Sequence, residues 1–444
     1  MRNIYRRKRK AKQLELFDQA ENLKPQIALE ELFEAYFDCR KNKRRTASAI
    51  KFEIRFESEL IKMWREINNG SYKIGRSVAF VVKEPVQREI FAANFRDRVI
   101  HHFIINKINH LFEELFIDDS YSCRKGKGTL KAVQSVAQKI KECSDNYSKD
   151  CYVLKMDIRS FFMNIDKNVL YKMLYQFLEE KYKASDKEII LKLIKQIIFN
   201  NPENNCRIKG KISDWNGLPC HKTLFWSAKH KGLPIGNLTS QIFANFYLDK
   251  LDKFITQDLG ITHYARYVDD FIIVHQDKDF LKFVHKKIAL FLKKVLYADL
   301  HPNKVYLQHY KHGVGFLGAF IKQNCIYIGR RVKHKLYLCV KNFLKSNQDK
   351  NNMEALKSLF AENRKYLSEI CGKFMASINS YFGIMIHYMT QKLRCKIWSI
   401  LCETYFKKCF LVNDSCSKFN LVTSIRQNII MRQNLYKLKY FMCW

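Results

Sequence analysis

Proline and glycine are scarce in this chain, 6 and 15 of 444 residues, well below their usual shares. With 14% aromatic residues, that scarcity excludes a disordered basic tail as the main feature. Acids are short too: 43 Asp and Glu face 79 Lys and Arg, and the formal net charge is +36. Such an excess points to a polyanionic partner, with nucleic acid as the first candidate. Ribosomal, histone-like and membrane-surface proteins carry similar charge, so charge does not decide alone. No apolar run approaches a bilayer span. The opening MRNIYRRKRKAKQLELF has no apolar stretch behind its charges, which excludes a secretory leader. The 14 cysteines include no C-x-x-C pair, and they read as reduced, mostly buried small hydrophobes of a cytoplasmic protein without a membrane. Cys206 with Cys220 and His221 has poor zinc spacing. Cys395, Cys402, Cys409 and Cys416 recur every seven residues and read as one apolar helix stripe.

What is present supports a large core, since 47% of the chain is hydrophobic, and its length suits two to four domains or lobes. The first dozen residues are mostly Arg and Lys, either touching phosphate or forming a solvated tail. Helical periodicity is expected from Ile27 to Lys41, from Ala47 to Gly70, and along FRDRVIHHFIINKINHLFEELF. Strand-like runs flank Pro85, and YVLKMD is a buried strand that breaks after Asp157. Helices follow over Lys167 to Lys183 and Lys187 to Phe199, then an irregular segment from Asn200 to Lys231. TSQIFANFYLDKLDKFI is helical with Thr239 or Ser240 as its cap, and another helix covers Lys278 to Ala298. GVGFLGAFIKQNCIYIG reads as a short hairpin, and from Arg330 the chain reads as basic and helical to Trp444. Interleaved helices and strands of this kind predict an α+β fold with a small, mostly antiparallel sheet.

The sharpest signal is HYARYVDDFIIV, in which two adjacent acids interrupt a pair of apolar strands. The arms place Asp269 and Asp270 at a hairpin tip, and neighbouring carboxylates repel unless a cation joins them. Asp157 also ends a buried strand. If those strands are neighbours, the three acids converge on one spot suited to two Mg²⁺ ions roughly 4 Å apart, with Mn²⁺ as a substitute, for phosphoryl transfer. The bland alternative is that these acids cap turns or form surface ion pairs.

At these residues the sequence resembles reverse transcriptases: ARYVDDFIIV resembles their active-site hairpin and KMDIRSFF their first palm motif. NFRDRVIHHFI, SYSCRKGKGTLKAV and HPNKVYLQHYKHGVGFLGAFI resemble further motifs of group II intron and related enzymes, in the same order. The resemblance covers about residues 60 to 325, more loosely beyond, and implies a right-hand polymerase fold: a basic extension over 1–46, fingers and palm over 47–328, and a basic helical thumb over 329–444. In GLPIGNLTSQIFANFYLDKLD, Ile235 stands where most such enzymes carry Gln, and the string Ile235, Gly236, Asn237, Leu238, Thr239, Ser240, Gln241 resembles the hallmark of diversity-generating retroelements. That family copies a template-repeat RNA with frequent errors at adenines. It implies an accessory variability protein, structured RNA beside the template, dNTPs, a cDNA–RNA duplex, and a bacterial or phage-encoded cytoplasmic enzyme. No Cys/His endonuclease cluster or acidic ribonuclease H-like segment is expected after the thumb. The alternatives are a retron enzyme, an abortive-infection polymerase, an endonuclease-less intron maturase, or a non-catalytic RNA-binding scaffold.

The resemblance implies roles residue by residue. Asp157, Asp269 and Asp270 are the expected metal ligands, with the Ile158 carbonyl as an extra one. Phe162 is expected against the sugar and Phe161 in the core, with an exchange of the two left open. Lys83 and Arg88 are expected at the triphosphate, with Arg96 and Arg98 as second choices that on their helix pair with Asp97 or Glu114 instead. Ile235, Gly236 and Gln241 line the nucleotide site, although Ile235 also reads as ordinary core. Tyr267 lies under the primer end. Lys304 is either a proton donor to pyrophosphate or a solvated turn lysine, and Gly315 and Gly318 form a turn on the primer–template side.

Overall fold

The structure is a computed structural model that describes residues 27–41, 46–84, 86–346 and 364–422. The basic N-terminal dozen, Pro85, residues 42–45 of the KNKRRTAS connector and the last stretch toward Trp444 lie outside the described residues. Two compact units emerge, Met1–Gly128 with Leu154–Leu307, and Thr129–Val153 with Gln308–Trp444.

In the first unit the SVAFVV and REIFA runs flank a turn and pair antiparallel as β1 (Ser77–Val82) and β2 (Arg88–Ala92), with Val82 opposite Arg88. The buried apolar run before Asp157 forms β3 (Tyr152–Asp157). Within the segment expected to be irregular, β4 (Cys206–Ile208) adds to β1 in parallel, giving the order β2-β1-β4. A second sheet has the order β5-β6-β3-β7, from β5 (Tyr264–Tyr267), β6 (Asp270–His275), β3 and β7 (Tyr306–His309). The neighbourhood of β6 and β3 is what the acidic residues required.

Helix ends follow local capping chemistry. Asp166 accepts from the Asn168 and Val169 amides to start Lys167–Lys181, and Asp277 does the same with Asp279 and Phe280 for Lys278–Val295. The Lys187–Phe199 helix matches its expected span. Leu238–Lys253 is buried almost all round and so lacks one polar face. Asn237, not Thr239 or Ser240, holds the position before its first turn: both of those are buried inside the helix, and the Asn237 side chain does not cap it but accepts from the Ala93 amide at 3.0 Å. The single helix expected over Ala47 to Gly70 is two, Ala47–Glu53 and Phe56–Asn68. Arg55, at φ −133, breaks the run. Arg96 and Arg98 lie on the Phe95–Leu115 helix, but Arg96 pairs with Glu66 and Arg98 donates to the Ala93 carbonyl at 2.9 Å. Asp97 faces inward to Tyr72 and Gly75 instead.

In the second unit the segment read as one hairpin makes two, in a meander of β8 (Val314–Phe316), β9 (Ala319–Lys322) and β10 (Cys325–Ile328). Apolar faces of the Arg330–Lys345, Arg364–Met385 and Gln391–Cys402 helices close over Leu336, Phe343, Phe374, Phe382 and Leu401. The expected all-helical end is corrected by β11 (Phe410–Val412) and β12 (Phe419–Leu421), an antiparallel pair. The cysteine stripe is corrected with it. Cys395 and Cys402 are helical, whereas Cys409 ends a 3-10 turn and Cys416 lies in the β11–β12 loop at φ +47.

Candidate active site

Tyr267 opposes Asp270 in the β5–β6 register, so Val268 and Asp269 form a two-residue turn. Val268 sits at φ +57, a conformation that a β-branched residue rarely adopts. The turn is held from inside the protein. Arg266 is fully buried and donates from Nη1 to the Val268 carbonyl at 3.1 Å, and Ser122 Oγ accepts from the Val268 amide at 3.2 Å. Arg266 also grips Asp252 with two nitrogens, Nε at 2.6 Å, and reaches Asn245 and Ser120. Burial opposes the guanidinium charge, but Asp252 more than offsets it and raises the pKa.

The Asp269 carbonyl accepts from the Ile158 amide at 3.2 Å, which joins the end of β3 to the acidic turn by a main-chain bond. On the other side, the His301 amide donates to the Asp157 carbonyl at 2.7 Å. Two lysines stand among the acids. Lys304 Nζ lies 2.9 Å from Asp157 Oδ2, and Lys155 Nζ lies 3.1 Å from Asp270 Oδ2. Burial, then repulsion from Asp157 and Asp270, pushes the Asp269 carboxyl up to about 6. Asp270 is also raised, chiefly by burial, with Lys155 pulling against the shift.

No three His, Cys, Asp or Glu groups among the described residues form a metal-holding cluster, and Asp157 and Asp270 each pair with a lysine. The donor set nevertheless fits a hard divalent cation. Its atoms are carboxylate oxygens, the charge of Asp157 raises the pKa of both Asp269 and Asp270, and Asp270 Oδ1 is buried with no hydrogen-bond partner.

The other expected residues are spread over the first unit, with two glycines in the second. Phe162 and Ile235 pack, half-buried, against one cluster of Ala79, Phe91, Met163 and Leu224, whereas Phe161 is 2% exposed in the core. The Ile235 carbonyl accepts from the Phe91 amide at 2.9 Å, and Gly236 beside it takes φ +117. Gln241 is exposed and accepts from the Cys123 thiol at 3.4 Å. Lys83 is exposed and paired with Asp214 at 2.8 Å, while Arg88 is exposed at the start of β2. Tyr267 ends β5, half-buried. Gly315 and Gly318 belong to the second unit, Gly315 within β8 and Gly318 at φ +84 in the turn before β9.

The family profile described as reverse transcriptase (RNA-dependent DNA polymerase) matches residues 84–321, more than half of the chain. The chain belongs to the reverse transcriptase family. Its fold is the α+β polymerase fold of that family. Among curated proteins, a putative COX1/OXI3 intron 2 protein of Saccharomyces cerevisiae is 21% identical, over 60% of this chain and 34% of that protein. The group II intron-encoded protein LtrA of Lactococcus lactis is 19% identical, over 60% of this chain and 50% of that protein. The reverse transcriptase chain thus spans half or less of the curated relatives it matches. Among solved structures, apo telomerase from Candida tropicalis truncated from its C-terminal domain aligns at a TM-score of 0.42 and 15% identity, covering 60% of each chain.

Sequence reading missed Arg266 and Lys155 in this reverse transcriptase. Both left a signal. A cation inside an apolar strand demands a buried acid, and Lys155, two residues before Asp157, shares its face of β3. It also missed Glu89, an acid buried within the REIFA strand.

Proposed function

We propose that the protein is an RNA-directed DNA polymerase that copies a template-repeat RNA into adenine-mutagenised cDNA. The main support is the bond from the Ile158 amide to the Asp269 carbonyl, which ties the strand ending in Asp157 to the Asp269–Asp270 turn. Asp157, Asp269 and Asp270, with the Ile158 carbonyl, would hold two Mg²⁺ ions, or Mn²⁺ in their place. When bound, the ions would activate the primer 3′-hydroxyl and stabilise the leaving pyrophosphate. Lys155 pairs with Asp270 and Lys304 with Asp157. Lys304 is then a counter-ion to Asp157 first, and a proton donor only once released from it.

Phe162 would exclude a ribose 2′-hydroxyl by bulk, while Ile235, an aliphatic in place of a polar contact, would check the nascent pair less strictly. Gly236 and Gln241 would complete that wall. Arg88 and Lys83 would meet the triphosphate, Lys83 after leaving Asp214. Tyr267 would support the primer end, with Gly315 and Gly318 on the primer–template side. Residues 47–328 would serve as fingers and palm, and 329–444 as a thumb on the cDNA–RNA duplex. The accessory variability protein is basic in this family, so RNA beside the template or acidic patches must bridge the two. No helix among the described residues is long and apolar enough to cross a membrane.

The group II intron-encoded relatives favour a second reading, an intron maturase-like enzyme, which a neighbouring template/variable repeat pair in the genome would exclude. The deciding experiment is sequencing of cDNA made on a defined RNA with all four dNTPs. No cDNA would overturn the polymerase, and cDNA without adenine-directed errors would overturn only the retroelement assignment. Ile235→Gln should lower misincorporation opposite adenine, and an unchanged error spectrum would remove Ile235 as its cause.

A further inference from the structure

Glu89 is 1% exposed in β2, yet among the described residues it makes no ion pair. Its carboxylate accepts from Trp215 Nε1 at 2.7 Å, Thr223 Oγ1 at 2.6 Å and the Leu224 amide at 2.6 Å. All three donors come from the segment before Gly232, whose backbone is mostly short 3-10 turns. A buried charge is costly unless it is hydrogen-bonded, and here a single irregular segment supplies all of that bonding. Weaker ties lie nearby. Gln87 Nε2 donates to the Asp214 and Asn216 carbonyls, and the Lys209 amide donates to the Ala79 carbonyl.

The same segment contributes Leu224, Trp215 and Cys206 to the apolar cluster that touches Phe162 and Ile235. Phe91 follows Glu89 by two residues and shares its face of β2. Its amide holds the Ile235 carbonyl, and its ring lies 5.3 Å from that of Phe225. The Leu233 amide in turn donates to the Phe162 carbonyl at 2.8 Å. One strand therefore grips Ile235 through its main chain and, two residues away, the wall behind Ile235 through a buried carboxylate.

We propose that Glu89 and Trp215 are positioning residues for nucleotide selection, clamping residues 206–226 as the back wall of the pocket formed by Phe162 and Ile235. The inference rests on the polymerase reading above. The segment's position, as well as the identity of residue 235, then sets how strictly an incoming base is gauged.

Glu89→Gln keeps the shape but turns an amide NH₂ toward one of three donors, and Trp215→Phe removes the indole N–H and leaves a smaller aromatic ring in its place. Each is compared with wild type for single-nucleotide extension on a primed RNA, with KM and kcat for correct and incorrect dNTPs, and for thermal unfolding. The expected result is a KM for the correct dNTP raised about threefold or more, with kcat kept within about twofold and the ratio of incorrect to correct insertion changed. The double variant should lose less than the sum of the two single losses, because both changes act on the same carboxylate and its donors. Folded variants with unchanged KM and selectivity would overturn the clamp, as would a lowered Tm with unchanged kinetics. If Glu89→Gln does not fold, Trp215→Phe decides. Wild type that extends no primer would overturn the polymerase reading and the clamp with it, whereas active wild type with unaltered variants removes the clamp alone.

Discussion

Arg266 and Asp252 are both sealed from solvent, and removing one strands the charge of the other. Arg266→Met should therefore destabilise the protein by about 3–5 kcal/mol, read as a lower urea midpoint. Adding Asp252→Leu should recover much of the loss, and a double variant as weak as the single would show that the pair is not the unit. The acidic turn makes a second prediction at this scale. Asp269 is raised from 3.8 to about 6, so the folded state binds its proton more tightly than the unfolded chain does. Without divalent cation, its cost to stability is absent at pH below 3.8 and reaches full size as the pH rises past about 6. Unfolding midpoints of metal-free wild type should fall across that window, and Asp269→Asn should flatten the fall. Equal slopes for the two proteins would contradict the assignment.

Among elements, the entry to the Leu238–Lys253 helix has little freedom. Gly236 takes φ +117, and a Cβ there would lie 2.7 Å from Ile90 Cγ2. Gly236→Ala should cost about 1–3 kcal/mol from backbone strain alone, seen as a lower Tm. Adding Ile90→Ala should leave that strain in place, because the clash is relieved and the dihedral is not. Asn237 shows a related competition. Its side chain leaves the helix N-terminus uncapped in order to hold the Ala93 amide, so the link to the strand hairpin takes precedence over local capping. The β5–β6 hairpin follows the same pattern, since a valine at φ +57 persists only because Arg266 and Ser122 bind both of its main-chain polar groups.

For the whole molecule, a net charge of +36 predicts RNA binding dominated by phosphate contacts. Affinity by fluorescence anisotropy should fall by about a thousandfold or more from about 50 mM to about 200 mM salt, and a shallow slope would show that few phosphates are engaged. The sequence alone was enough to place Asp157 at the end of a buried strand and Asp269–Asp270 at a hairpin tip, because both positions follow from apolar runs a few residues long. It was also enough for the Lys187–Phe199 helix and for the α+β class. Other features depended on residues far apart in the chain. Lys304 on Asp157 spans 147 positions, and Trp215 on Glu89 spans 126. The β11–β12 pair and the dispersal of the cysteine stripe likewise answered to neighbours that heptad spacing does not report. Periodicity records which side of a segment is dry, whereas the partner that meets a buried charge is chosen by the path of the folded chain, and only the tertiary structure decided that.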